Sequence, residues 1–431
     1  MPSTGHTAYF HSAHKWSEKQ HGTTGGPEAW LIWVLATLFV VWLFAIQTGY
    51  AVVSPEIQKT ASLSIAQIGL AASAYTWAFA VVQFFSGALL DRFGTRPLMA
   101  IAVALVTAGA FLYASTTNFG ILVVAQLVLA VGASFGFVGA GYVGGKWFVA
   151  AKYGLMFGLV QTFSSLGSAI AQPAIQALLG VISWQQLQIA FGVFGVLLFI
   201  LFIIFVRNPA PDPLASPVPA MTGNIVGQIL KELGHSFANY RVVLSAIMAG
   251  VSFGAMLAVG VLWGPRIMEA HGANPGFAIL LTALAWLGLA VGAPLVNVIS
   301  NKWHSRKWPA FWALLLQATA IALVIYLPNV ANGPALILMF AIGLFAGGHM
   351  LGFTVAGEAV PGELIGSASA IVNGFCFIVG GLLISIPSQF LPNNPTIGDF
   401  QATLWLLPAA VVIGCVAALL IPRKQKVAVK A

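Results

Sequence analysis

Apolar residues in this chain run in long stretches, separated by short polar connections. A helix crosses a bilayer with about 20 apolar residues. Twelve stretches meet that length, so twelve membrane helices are predicted. They are Ala29–Val53, Ile65–Leu90, Leu98–Ser115, Phe119–Gly144, Tyr153–Leu179 and Trp184–Val206, then Val242–Gly264, Gly276–Ile299, Pro309–Leu327, Pro334–Ala356, Leu364–Ile386 and Ala402–Ile421. The few polar residues inside them stand out. Gln161, Ser165, Ser168 and Gln172 in the fifth run are spaced to share one helix face.

The connections carry the charge. Gly87-Ala-Leu-Leu-Asp91-Arg92-Phe-Gly94-Thr-Arg96-Pro97 is a compact charged turn between the second and third runs. A weaker copy follows the eighth run, with Asn301, Lys302 and Arg306 at the places of Asp91, Arg92 and Arg96. The offset, 301 − 91 = 210 residues, is close to half of the 431-residue chain and reads as an internal duplication. With the N-terminus inside, every Lys and Arg except Lys59 and Arg266 falls on the inner side. Both termini are therefore expected in the cytoplasm. The expected organisation is a tail over 1–28, a six-helix bundle over 29–207, a linker over 208–240, a second bundle over 241–422 and a tail over 423–431. The linker starts Pro-rich and then shows an apolar stripe of Ile225, Ile229, Leu230 and Leu233, an amphipathic helix at the inner membrane face.

Composition narrows the class. Hydrophobic residues make up 59% and charged residues 6%, against about 25% charged in soluble chains. The bilayer is the first partner. The net charge of +8 sits in connections and forms no basic domain, so no nucleic-acid role is expected. Cys376 and Cys415 lie in apolar runs without ligand spacing, and His6, His11, His14 and His21 in the polar N-terminal segment follow no tight spacing. No metal site is expected. That segment has no apolar core of a cleavable signal peptide.

The Asp91–Arg96 turn resembles the signature loop of the major facilitator superfamily. Three more segments agree: Tyr75 to Gln83 to Gly87, Lys146-Trp147-Phe148 with Tyr153-Gly154 to Gly158, and Leu262-Trp263-Gly264-Pro265. The resemblance implies an all-α polytopic membrane protein with twelve transmembrane helices in two pseudo-symmetric six-helix bundles. It implies alternating access about a midplane site. It also implies a conformational latch of Gly87, Asp91, Arg92, Gly94 and Arg96 with Asn301, Lys302, Arg306 and Glu363. In it Asp91 meets the N-terminus of the eleventh helix, near Pro361-Gly362-Glu363. Gly87 would allow close helix packing and Gly94 the tight turn. Asn301 in the second copy implies a weaker latch there. Ordinary solvated loop charges are the alternative. Val128 stands where proton-coupled members carry Arg, and the fifth run lacks the antiporter Gly-Pro pattern. A uniporter or symporter of small metabolites in the inner membrane is thus implied, acting as a monomer without a cofactor.

Candidate solute or proton ligands are Gln47, Tyr50, Tyr75, Gln83, Gln161, Ser165, Trp263, His349 and Asn373. His349 is the only histidine in a predicted membrane helix, and intramembrane ionisable residues are functional by default. Proton coupling through it and plain packing both remain open. No run has a central Arg, Lys, Asp or Glu. A neutral or zwitterionic solute, an amino acid or small peptide, is the first expectation. A monocarboxylate held by His349, amides and hydroxyls is the alternative, and a solute-sensing receptor on the same fold is a further class. A membrane enzyme would need a nucleophile, acid/base or metal cluster that the sequence does not display.

Overall fold

The computed structural model describes residues 25–149, 153–208, 225–360 and 364–422; within these, the side chains of Asp91, Arg92 and a few neighbours of the gaps are not described. Residues 1–24, residues 209–224 of the linker, Glu363 and the tail over 423–431 lie outside the described residues. Everything described is helix or connection, with no strand. Among the described residues, eleven helices are long and apolar enough to cross a membrane by length and composition. Spans 1 to 4 are Pro27–Thr60, Ile65–Phe93, Thr95–Ala114 and Phe119–Trp147; spans 6 to 9 are Trp184–Phe205, Tyr240–Ala270, Pro275–Lys302 and Lys307–Tyr326, counting Tyr153–Leu179 as span 5. Spans 10 to 12 are Pro334–Ala359, Ile365–Phe390 and Ile397–Leu420. Span 5 has 27 residues and carries glutamines and serines along one face; it is not one of the eleven.

Several spans depart from the uniform helices that the apolar runs predict. Span 1 continues through Pro55 to Thr60, beyond the expected end at Val53. Span 4 breaks at Ser134–Phe135, span 7 widens into a π turn at Val259–Trp263, and span 10 tightens into a 3-10 turn at Gly347–His349. These breaks free backbone carbonyls, and buried side chains take them up. Pro387 has no N–H for the Leu383 carbonyl, which accepts instead from the Trp263 indole at 2.9 Å. Beside the π turn, the Gln172 carboxamide donates to Gly260 O at 2.8 Å and to Thr48 O at 2.9 Å. One side chain of span 5 so joins spans 1 and 7.

The duplication is visible in the packing. Spans 3 and 6, 3 and 4, 1 and 5, and 2 and 4 pack together in the first half. Spans 9 and 12, 9 and 10, 7 and 11, and 8 and 10 repeat those pairings in the second. The halves meet where span 2 lies along span 11 and span 5 along span 8. The linker helix Ile225–Phe237 does more than lie at a face. Ile229 and Leu233 are buried, Phe237 meets Phe375 with ring centroids 6.1 Å apart, and Glu232 accepts from Ser367 at 3.4 Å, so the helix packs on the start of span 11.

Glycine sets the closest approach, though not at Gly87, where close packing was expected. A methyl group there would meet only Val138 at 4.0 Å, an ordinary contact. The backbones touch between spans 8 and 10 instead. Gly288 and Gly292 face the Phe340 and Leu344 carbonyls, and Gly343 and Gly347 face Ala285 and Gly292 in return. Two small-residue ridges at four-residue spacing therefore interlock. Gly94 has φ of 77°, a left-handed value that suits glycine in the turn between spans 2 and 3. Gly292→Val should destabilise the detergent-purified protein by about 1–3 kcal/mol in unfolding measurements. Gly158→Ala, where a methyl meets nothing within 4 Å, should change it by less than about 0.5 kcal/mol. Equal stability of the two variants would contradict the interlock.

Candidate functional site

Between the halves lies a narrow cavity of about 20 Å³, room for about one water in this conformer. Six phenyl rings wall it: Phe44 from span 1, Phe79 from span 2, Phe137 from span 4, Phe253 from span 7, Phe353 from span 10 and Phe377 from span 11. The polar groups are His349, Gln161, Asn373 and the Cys376 thiol. No Lys, Arg, Asp or Glu lines it.

His349 is held by the fold around it. The 3-10 turn and the glycine contact of span 10 on span 8 set its backbone. Its Nδ1 lies 2.8 Å from Ala346 O, and a carbonyl only accepts, so Nδ1 carries the hydrogen and Nε2 is the ring nitrogen left for a proton. The Phe253 and Phe353 rings stand 4.8 Å and 6.2 Å from the imidazole. Gln161 donates to Ser165 Oγ at 3.0 Å, which orients its carboxamide. Asn373 Nδ2 is buried and has no hydrogen-bond partner. A donor left unmade in apolar surroundings calls for an acceptor on a guest.

Of the polar residues singled out in the sequence, Gln161, His349 and Asn373 meet here, with Ser165 behind Gln161. Gln47, Tyr50 and Tyr75 share a second cavity of about 20 Å³ with Tyr113, Gln126 and Gln188. Gln83 donates to Ser86 Oγ at 2.7 Å within span 2, and Trp263 caps Leu383 as described; neither lines these cavities. The six phenylalanines and Cys376 were missed. Phe is common on lipid-facing and packed surfaces alike, so its position along an apolar run carries no signal of its own.

The hydrogen bonds that join the halves lie toward one end of the spans, away from the Gly94 and His304 turns. Arg266 donates to Gln58 at 3.0 Å, Ile65 N to Asn393 at 3.3 Å, and Gln172 to Gly260 O at 2.8 Å. At the opposite end, Arg306 bonds to Asn301 at 2.6 Å, to Ser300 at 2.9 Å and to Glu358 at 3.0 Å, tying the second turn to span 10. Lys302 is exposed. Arg96 donates its amide to Asn208 and its guanidinium to Ile203 O, linking the first turn to the end of span 6.

Span 2 runs antiparallel along span 11 in steady register. Ile65 lies against Asn393, Gly69 against Ser388, Trp77 against Gly381, Phe79 against Phe377 and Phe84 against Gly374. The Phe79 and Phe377 rings stack at 3.9 Å.

Known proteins agree with this architecture. The sulfoacetate transporter SauU of Cupriavidus necator, a probable assignment, is 23% identical over 400 residues, covering 87% of this chain and 89% of its own. The probable galactarate/D-glucarate transporter GarP of Escherichia coli K12 is 22% identical over 423 residues, covering 89% and 91%. Among solved structures, an inward-facing bacterial homologue of the human lysosomal transporter Spinster superposes with a TM-score of 0.68 at 17% identity, over 93% of this chain and 97% of that one. A D-xylose-proton symporter gives 0.69 at 14% identity, over 92% and 98%. The family model described as Major Facilitator Superfamily matches residues 34–385. With its duplicated helical halves and the cavity between them, this multi-pass membrane chain belongs to the major facilitator superfamily of transporters.

Proposed function

We propose that the protein carries a small organic monocarboxylate with an apolar body, together with a proton, by alternating access through the central cavity. The carrying observation is the unpartnered Asn373 Nδ2 donor in the same aromatic cage as His349. Rings receive the apolar part of the solute. Asn373 donates to the carboxylate, and a proton on His349 Nε2 balances its charge. A carboxylate alone would be an uncompensated charge among phenyl rings, and so would an imidazolium alone; entering together they leave the site neutral. A zwitterion would bring an ammonium for which the cavity offers only amide oxygens. The relatives named above are probable transporters of sulfoacetate and of galactarate or D-glucarate, all organic acids, which supports an acid over the amino acid or peptide first expected from sequence.

The positive-inside pattern supports cytoplasmic termini, which makes the joined end of the halves the outer one and the conformer closed outside. Asp91 and the first turn of span 11 form the inner latch in this reading. The span 2–span 11 register supports this reading: the same spacing carried on toward the Gly94 turn leads from position 91 to Gly366 and Ser367, and a carboxylate there would gain from the helix N-terminus. The remaining members, Gly87, Arg92, Gly94, Arg96, Asn301, Lys302, Arg306 and Glu363, shape the two turns and the ends they bind.

His349→Gln should abolish uptake driven by an acid-outside pH gradient in proteoliposomes while exchange persists, and should weaken carboxylate binding about 10- to 100-fold. Unchanged pH dependence would refute proton carriage. In a Cys415→Ala background, the remaining Cys376 should react with maleimide more slowly when butyrate or phenylacetate is bound. Protection by phenylalanine and not by the acids would favour the zwitterion reading. Asp91→Asn should lower turnover about 2- to 30-fold at equal membrane abundance, the range of a helix-terminus contact. A wild-type rate would remove the latch.

A further inference from the structure

Arg266 lies one helical turn before Ala270, where span 7 ends, at the joined end of the halves. Its guanidinium donates to Gln58 Oε1 of span 1 at 3.0 Å, across the seam. Its Nε is buried and has no hydrogen-bond partner. Among the described residues it forms no ion pair; the pair found there joins Arg306 to Glu358. Glu269 on its own helix and Glu56 on span 1 are exposed and form no ion pair with it. The Tyr50 hydroxyl beside it gives its hydrogen to Ile68 O at 2.9 Å.

A guanidinium drawn into a seam without a counter-charge is costly. This one sits at a joint that must part during transport. Its forked N–H donors suit a carboxylate, which takes two parallel bonds. Gln58 offers a single neutral oxygen instead. A carboxylate that reaches the open seam therefore displaces Gln58. Once the mouth is empty, Gln58 takes the guanidinium back.

The position suits an entrance. Phe253 of the aromatic wall lies 13 residues earlier on span 7 (266 − 253), about 20 Å along a helix. That wall carries no Lys, Arg, Asp or Glu. A cation ahead of it selects anions before they give up their water. The remaining charges of that end supply no such pull, since Glu56, Glu269 and Asp399 outnumber Lys59.

We propose that Arg266 is the anion-capture residue of the outer mouth, exchanging Gln58 for the carboxylate of an incoming solute. It returns to Gln58 when the solute has moved on toward His349, so the seam closes behind the solute and not upon it. The proposal rests on the monocarboxylate and cytoplasmic-termini readings above.

The test places a thiol beside the guanidinium: Gln58→Cys in a Cys376→Ser, Cys415→Ala chain, in right-side-out membrane vesicles. Sulfonatoethyl and trimethylammonioethyl methanethiosulfonate, impermeant reagents of opposite charge, label it. Each rate is normalised to that with 2-mercaptoethanol. The anionic reagent should lead by about tenfold, the pull of an uncompensated guanidinium. Arg266→Gln, whose carboxamide still donates, should bring the ratio near one, and Arg266→Lys should preserve it. A ratio near one with Arg266 present, a ratio that Arg266→Gln leaves unmoved, or labelling in inverted vesicles alone overturns the proposal. If Gln58→Cys does not fold, Asn393→Cys at the adjoining seam bond replaces it, with the same outcomes. Butyrate uptake separates this proposal from the central assignment. With Gln58 and both cysteines restored, Arg266→Gln should raise KM about tenfold, and Arg266→Lys should recover most of the loss. A KM that Arg266→Gln leaves unchanged overturns capture. If the unaltered chain carries neither butyrate nor phenylacetate, the monocarboxylate reading fails, and the reagent ratio still decides the role of Arg266.

Discussion

A bilayer offers no hydrogen bonds, and every feature of this molecule answers to that constraint. Each polar group in a span must find a partner inside the protein or face a cavity that a guest will fill. The constraint explains why the breaks in the helices and the buried glutamines occur together. Pro387 frees the Leu383 carbonyl, and Trp263 takes it. The π turn leaves Gly260 O within reach of Gln172, which also holds Thr48 O. Irregular backbone is tolerated here because a side chain from a neighbouring span completes it. The same rule turns the exceptions into information. At Asn373 Nδ2 and the Gln47 carboxamide, which have no partner, the group faces a cavity.

Much of the fold was legible because bilayer helices write themselves as long apolar runs. The duplication was legible too, since Asp91 and Asn301 sit in matching turns. What stayed hidden depends on how helices rotate and where they break. Gln161 and Gln172 share one stripe of span 5, yet the first lines the cavity and the second braces spans 1 and 7. Gln47 and His349 looked alike as polar residues in apolar runs, yet they line different cavities. No periodicity within one helix can say which faces of two helices meet. Gly87 looked like a packing glycine, while the interlocking ones are Gly288, Gly292, Gly343 and Gly347, among 46 glycines that sequence alone does not rank.

The cavity's character also follows from a division of labour among side chains. Aromatic rings from both halves make a wall that is apolar and offers no fixed charge. In such a wall, one imidazole and one free amide donor outweigh many hydroxyls elsewhere, because electrostatic interactions strengthen as water is excluded. His349 can serve only if its ring is held still, and the span 8–span 10 interlock does that from behind. A position that looks like simple close packing is therefore part of the site's geometry.

The two kinds of contact differ in how readily they change. Within the second half, backbone touches backbone through glycine, and nothing can slide without a collision. Spans 3 and 4 of the first half are locked in a similar way, with Gly132 against the Ala102 carbonyl. Between the halves, the joined end is held by single hydrogen bonds at Gln58–Arg266, Ile65–Asn393 and Gln172–Gly260. Neutral bonds of this kind contribute about 0.5–1.5 kcal/mol each, and one to a charged group about 1.5–3. Their total is a few kcal/mol, the scale at which two conformations can both be populated and a bound solute can tip the balance. Stiff halves joined by a soft seam are what alternating access requires, and here the stiffness comes from glycine and the softness from polar bonds that can be exchanged one at a time.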